Sequence, residues 1–474
     1  MKTDTHNINT VNVDNAHLRR TMLSLSLPML LSSLATSIAN VGLPTLTQSF
    51  NASFQQAQWV VLAYLLAITT SAISIGRIGD IIDKRWLLKA GIGLFTAASV
   101  GCALAPSMGI LITARVLQGL GAATMMTLTL ALVGETVNQE KTGRIMGMLG
   151  TVSAIGTALG PSLGGMLIAG FGWPAIFLIN IPFGLLALFL ISRYMPCNRT
   201  SFTKPASGFD PVGMLLLGLT LALYALSMTW GHGTFDARNL ALLAGAAIGV
   251  GLLGWAEKKV KSPLIQTTLL RHSVLRGSLI MSMLVTTIMM ATLIVGPFYL
   301  SRALGLSAQW VGLAMSAGPI VAALSGIPAG YGVDKLGAQI MVTSGLVGVA
   351  FGAMILTIIP TGFGVLGYVV PVCLITAGYA IFQTANNTLM IKSVRADQRG
   401  VVSGMLNLSR NLGLITGASV MGAIFAFASS GQDIQLTAAT DMTRGMQFTY
   451  GVAALLATVA LWISVIHLRN KSNQ

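Results

Sequence analysis

The chain is 474 residues long, 54% hydrophobic and only 9% charged, whereas soluble domains carry about a quarter charged residues. A mean hydropathy of +0.77 over that length excludes a soluble multidomain protein, and the lack of in/out alternation excludes a barrel, leaving a polytopic helical membrane protein. The net charge of +15 does not point to nucleic acid, because the basic residues form short clusters between apolar runs rather than one stripe.

Residues 1–18 are polar. The apolar run that follows, about 24 residues, is too long for a cleaved signal core and reads as a retained first span. Windows of about 20 apolar residues then predict spans at 22–44, 58–76, 87–106, 109–133, 145–169, 174–193 and 211–230. They continue at 239–256, 277–300, 308–330, 339–359, 364–390, 402–428 and 446–467. Fourteen spans put both termini on one side.

Alternate gaps carry the basic residues: Lys84, Arg85 and Lys89; Lys141 and Arg144; Arg193, Arg199 and Lys204; Lys258, Lys259, Lys261, Arg271 and Arg276; Lys335; Lys392, Arg395 and Arg399. The other gaps hold only Arg238, Arg302 and Arg444. Positive-inside therefore assigns the basic loops and both tails to the cytoplasm. Trp59, Trp86, Trp173, Trp230, Trp255, Trp310 and Trp462 fall at or near span ends, as interfacial anchors do. Cys102, Cys197 and Cys373 are far apart and odd in number, which gives neither a disulfide framework nor a metal site.

The first span carries a polar face, with Ser33, Thr36, Ser37 and Asn40 at i, i+3, i+4 and i+7. Nothing on it titrates near neutral pH. An internal repeat follows. "GRIGDIIDKR" (76–85) and "GYGVDKLGAQ" (330–339) both place Asp four residues after Gly, with Asp80 and Asp334 254 residues apart. Gly121 and Gly378, and two copies of "GML", recur at 257. Two spans lie between the copies, so the pattern is six helices, a two-helix insert and six helices. The expected units are a tail at 1–21, a bundle at 22–193, linkers and insert at 194–276, a second bundle at 277–467 and a tail at 468–474.

The 76–85 stretch resembles the loop signature of the major facilitator superfamily (Gly-x-Leu-Ala-Asp-Arg-x-Gly-Arg-Lys), matching at Gly76, Asp80, Lys84 and Arg85, with Asp83 where glycine is usual. The resemblance implies a conformational latch formed by Gly76, Asp80, Arg85 and Arg144 and repeated at Asp334. "RVLQGLGAA" (115–123) resembles the fourth-helix motif of that superfamily, with Arg115 about 10 Å into its helix. "GTALGPSLGG" (156–165) matches the antiporter signature Gly-x-x-x-Gly-Pro-x-x-Gly-Gly, in which Gly156, Gly160 and Gly164 share a face and Pro161 loosens the backbone. "QWVVLAYLLA" (58–67), "WPAIFLINIPFG" (173–184) and "RGVVSGMLNLSRNLG" (399–413) are similar to fourteen-span drug:proton antiporters, the second drug/proton family. The chain departs from them at Pro174, where arginine is common.

"LATSIANVGLP" (34–44) aligns with that family's first-helix signature, Leu-Asp-x-Thr-Ile-Val-Asn-Val-Ala-Leu-Pro, with Ala35 in place of the aspartate. All thirteen acids lie in tails, loops or last turns of spans. The deepest ionisable groups are Arg115 and Arg410, and a core with only positive charges repels lipophilic cations.

The resemblance implies a major facilitator fold and secondary efflux of amphiphilic small molecules by alternating access, with protons as the coupling ion and Asp80 or Glu135 at the cytoplasmic rim as proton sites. The alternative is an exporter or facilitator of a neutral or anionic metabolite or lipid, anchored by Arg115. Expected cavity residues are Ser33, Thr36, Ser37, Asn40, Tyr64, Arg115, Gln118, Gln383, Asn386 and Asn387. No converging catalytic set or phosphate-cradling loop is present, which argues against an enzyme or an ATP-driven pump. No cofactor is expected. The expected setting is a monomer in the bacterial inner membrane.

Overall fold

In a lipid interior no water is available to bond backbone N–H and C=O groups, so each apolar segment must satisfy its own backbone as a helix. The computed structural model describes residues 15–136, 139–195, 211–230, 236–257, 273–394, 399–429 and 439–472, and no strand occurs among them. The helices are α1 (Asn15–Ser49), α2 (Phe54–Ile81), α3 (Lys84–Ala103), α4 (Met108–Thr136), α5 (Gln139–Phe171), α6 (Ala175–Leu178), α7 (Asn180–Tyr194) and α8 (Pro211–Thr229). They continue as α9 (Ala237–Glu257), α10 (Ser273–Phe298), α11 (Ala308–Leu336), α12 (Ala338–Ile358), α13 (Gly364–Lys392), α14 (Arg399–Thr416), α15 (Gly422–Ala428) and α16 (Ala439–Ser472). Among the described residues, eleven helical stretches are long and apolar enough to cross a membrane, and Ile155–Phe171 and Leu215–Thr229 are shorter apolar helices.

Local chemistry sets the ends. Ser53 opens α2 with a capping box: its Oγ accepts from Gln56 N at 3.2 Å while Gln56 Oε1 accepts from Ser53 N at 2.9 Å. Two spans read from sequence as continuous contain π-helical turns. Tyr299–Ala303 follows Pro297, whose ring has no N–H to donate, and Gly417–Met421 joins α14 to α15.

Helix partners repeat. In the first set α1 packs on α5 and α7, α2 on α4, and α3 on α4 and α7. In the second set α10 packs on α14 and α16, α11 on α13, and α12 on α13 and α16. The close approaches recur at the spacing of the sequence repeat. A β-carbon at Gly121 would lie 2.7 Å from Phe95 N and 2.8 Å from Gly91 O; one at Gly378 would lie 2.6 Å from Gly345 O and 2.8 Å from Val349 N. Likewise Gly156 and Gly160 of α5 press on Leu30 and Ser37 of α1, while Gly413 and Gly417 press on Thr286 and Met290 of α10.

Between the sets, α2 meets rod α14–α15 and α5 meets α11, while α8 packs on both α2 and the Gly417–Met421 turn. Trp59 Nε1 donates to Thr229 Oγ1 at 2.9 Å and Tyr224 O–H to Thr416 Oγ1 at 3.2 Å, which fastens the α8–α9 hairpin at this seam.

Backbone faces backbone at Gly121 and Gly378, so no side chain can yield. Gly121→Val and Gly378→Val should each cost about 1–3 kcal/mol, read as a lowered melting temperature in detergent. Gly93→Ala, where no atom lies within 4 Å of the added carbon, should leave stability unchanged or slightly raised.

Candidate functional site

The polar face of α1 is largely consumed within the first set. Ser33 is buried and lies 2.6 Å from Ser153 Oγ of α5. Ser37 is buried against Gly160, and its hydroxyl donates to Leu34 O at 3.2 Å. Asn40 is buried, donates to Thr36 O at 3.1 Å and leaves its own Oδ1 without a partner. Thr36, half-buried, donates to Ser32 O at 2.9 Å. The α1 hydroxyls therefore answer carbonyls of their own helix and fill the seam with α5.

Arg115 is fully buried. Its Nε donates to Val60 O of α2 at 2.8 Å, its Nη1 to Gln118 Oε1 at 2.6 Å and more weakly to Ala35 O of α1 at 3.4 Å. Nη2 has no partner. The guanidinium carbon stands 4.1 Å from the centre of the Tyr64 ring, and the Tyr64 hydroxyl donates to Ser32 O at 2.9 Å. Gln118 Nε2 donates to Ser99 Oγ at 2.8 Å. One cation thus ties α1, α2, α3 and α4 together through dipoles and a ring face, with no carboxylate among its described partners. Tyr64, Arg115 and Gln118 meet in one enclosed network.

In the second set Asn386 is buried and donates to Ser278 O at 3.3 Å, with Oδ1 unpartnered. Gln383 and Asn387 are half-buried. With its amide oxygen turned inward, Gln383 Oε1 accepts from Arg410 Nη1 at 3.0 Å and Nη2 at 3.2 Å. Arg410 was not among the expected cavity residues. The signal for it was the run Asn407, Arg410 and Asn411, spaced i, i+3, i+4 along α14.

At the expected latch, Asp83 caps α3 by accepting from Arg85 N at 2.7 Å, and Arg85 Nη2 donates to Ser192 O in the last turn of α7 at 2.6 Å. The departure from glycine has a local reason. Asp83 sits at φ −53° and caps with its side chain, whereas Gly337, at the same place in the second copy, sits at φ +87° between α11 and α12. Asp334 is exposed. Gly76 faces Thr127 of α4. The side chains of Asp80, Glu135 and Arg144 lie outside the described residues.

The 156–165 segment serves two partners. Gly156, Gly160 and Gly164 bring α5 onto α1, whereas Pro161 and Gly165 turn to α11: a β-carbon at Gly165 would lie 2.9 Å from Gly312 Cα, and Gly312 abuts Pro161 O. At the other seam Gln58 Nε2 donates to Ala418 O at 2.8 Å, and Phe54 packs edge-on against Phe298 and tilted against Phe425, at 4.8 and 5.7 Å between ring centres. The contacts of Gly165, Gln58 and Phe54 lie toward the end that holds the α1–α2 turn, and α1 also packs on α10 and α11.

Residues 25–418 match the Major Facilitator Superfamily. The chain belongs to that superfamily. Its relatives include the Uncharacterized transporter YebQ of Escherichia coli (strain K12), 29% identical over 94% of this chain and 95% of that one. The Multidrug resistance protein Stp of Mycobacterium tuberculosis is 29% identical over 86% of this chain and 75% of its own. The Riboflavin transporter RibZ of Clostridioides difficile is 28% identical over 94% and 97%. Among solved structures, a bacterial homologue of the human lysosomal transporter Spinster, inward-facing and occupied, shares the fold at a TM-score of 0.68 and 14% identity, over 96% of this chain and 97% of that one. The protein is thus a multi-pass transporter with the major facilitator fold.

Two outcomes test this geometry. Arg115→Met strips Gln118 and two carbonyls of a charged donor, so it should lower stability by about 1–3 kcal/mol and depress flux of all substrates alike, as read by melting curves and flux assays. Gly312→Leu should force α11 from Pro161 and Gly165 and lengthen the spin-label distance between the α1–α2 turn and residues 304–307.

Proposed function

We propose that this chain is a fourteen-span secondary exporter of amphiphilic small molecules, working as a monomer in the bacterial inner membrane with both termini cytoplasmic. The bundles are 22–193 and 277–467, and the 194–276 segment is a two-helix insert beside the α2–α14 seam. The observation that carries export is the 156–165 segment of α5. Its glycines seat α5 on α1 while Pro161 and Gly165 rest on α11, so one antiporter-like segment links packing within a bundle to the contact between bundles. Relatives named as multidrug resistance and efflux proteins support the same reading. With the basic loops cytoplasmic, the contacts of Gly165, Gln58 and Phe54 fall toward the outer end, which supports a rocking motion of the bundles about it.

Protons exchanged at Asp80 or Glu135 on the cytoplasmic rim form the first reading of the driving force. A second reading, export of an anionic or neutral metabolite, is favoured by a specific observation: every acid in the described helices lies within two residues of a helix end. RibZ, named as a riboflavin transporter, is consistent with it.

Flux in proteoliposomes separates the two. A pH gradient of about two units, clamped to zero membrane potential, should raise export severalfold if rim carboxylates couple protons. No response to pH, with a response to potential, would retire proton exchange. Ala35→Asp sets a carboxylate on the α1 residue whose carbonyl lies 3.4 Å from Arg115 Nη1 and should confer flux of a lipophilic cation such as rhodamine 6G; unchanged selectivity would show that this network does not govern charge preference.

A further inference from the structure

Arg410 lies eleven residues beyond Arg399, about 17 Å along α14, and Gln383 lies nine residues before Lys392, about 14 Å along α13. Both are therefore well inside a bilayer whose hydrocarbon core is about 30 Å thick. α14 has the sharpest polar and apolar division of the described helices. Ser409 and Gly413 dock on α10, where Ser409 Oγ donates to Leu279 O at 2.6 Å and Gly413 abuts Thr286. A different face carries exposed Asn407 with half-buried Arg410 and Asn411. A half-exposed guanidinium and two amides at this depth do not face lipid; they face water or protein.

The partners of Arg410 are unlike those of Arg115. Arg115 is solvated by backbone carbonyls and an aromatic face, whereas Arg410 has one amide oxygen, which takes two of its five N–H groups. Among the described residues, the polar groups that α14 and the facing stretch of α13 carry near this level are neutral: Asn407 and Asn411 on α14, and Asn386 and Asn387, three and four residues beyond Gln383, on α13; Asn386 donates to Ser278 O of α10. Ser278 Oγ and Asn386 Oδ1 are buried without hydrogen-bond partners among the described residues. The charge is half-exposed, deep and uncompensated among the described residues, and its planar fork fits a two-oxygen anion.

We propose that Arg410, held in place by Gln383, recognises an anionic head group (carboxylate, sulfonate or phosphate) on the amphiphile that this protein moves. The inference rests on the transport reading above and narrows its substrate to anions. It also makes Gln383 a positioning residue: its amide orients the guanidinium without neutralising it.

Equilibrium dialysis of the full-length protein in detergent tests this with carboxyfluorescein as the anionic probe and rhodamine 6G as the cationic one. The unaltered protein should bind carboxyfluorescein more tightly. Arg410→Gln should weaken that binding tenfold or more, and Arg410→Lys should restore part of it. Gln383→Glu keeps the size of the side chain but pairs the guanidinium with a carboxylate, so it should weaken binding as much as Arg410→Gln while leaving the melting temperature unchanged or raised. Competition by short-chain phosphatidylglycerol assigns the head group to a lipid, and its failure to compete assigns a soluble anion; both keep the site. Absent carboxyfluorescein binding, a preference for rhodamine 6G, or affinity unchanged in both Arg410→Gln and Gln383→Glu would overturn the proposal. Arg410-dependent binding with no flux in proteoliposomes would retire export and keep the anion site. Rhodamine 6G flux indifferent to Arg410 would do the reverse.

Discussion

A guanidinium inside a bilayer has to be solvated by protein or by water, and the organisation of this chain turns on how its two deep arginines meet that demand. Arg115 is enclosed: Val60 O, Ala35 O, Gln118 and the face of Tyr64 surround it at the junction of the first helices. Removing it would leave polar groups unpaired in a dry interior, so it acts as a clamp. Arg410 is half-exposed and held by one amide. The same side chain is structural where carbonyls converge on it and available where they do not.

The helices can come that close because glycine removes the β-carbon at the contact, and in lipid such contacts are held by packing rather than by exclusion of water. This is why the duplication was readable in the sequence. Gly121 and Gly378 recur at a fixed spacing because each lies on the backbone of a neighbouring helix, and a side chain at either place would push the pair apart. The glycines of 156–165 were readable as a packing face for the same reason. Their division of labour was not, because which neighbour Gly165 meets is decided by how the two sets dock. The π-turns were also hidden, since hydropathy registers length and composition but not the phase of the hydrogen-bond ladder.

The site was less readable than the fold. Ser33, Thr36, Ser37 and Asn40 share a face, yet a polar face in an apolar helix is compatible with a cavity wall and with a helix–helix seam. In this chain Ser33 and Ser37 meet α5. Periodicity reports that a face is polar, not what lies opposite it. Arg115 was identifiable as deep, but its carbonyl partners on α1 and α2 are remote in sequence and have no side-chain signature. Asp83 shows the converse: it breaks a motif, and the physical reason, an N-cap in place of a left-handed glycine, emerges only from the backbone angles.

A transporter whose central charges are positive faces a different energetic problem from one with a buried acid. A buried carboxylate carries protons inward and offsets the charge of a cationic substrate. Without it, a cation must enter a positive field at low dielectric, where repulsion is strong. An anion is drawn to the same field, and its exit from a cell that is negative inside releases about 2.3 kcal/mol per charge per 100 mV, a gradient of roughly fifty-fold. An anionic amphiphile therefore needs no internal titrating group to be driven outward, only a cation that holds it at the centre and lets it go. A guanidinium steadied by an amide meets that condition better than one locked in a salt bridge, because the amide oxygen orients the fork while leaving its charge free. Under the proposal that Arg410 binds an anion, alanine at position 35 and the half-exposed guanidinium belong to one electrostatic arrangement, since an acid facing this interior would compete with such a substrate for the charge.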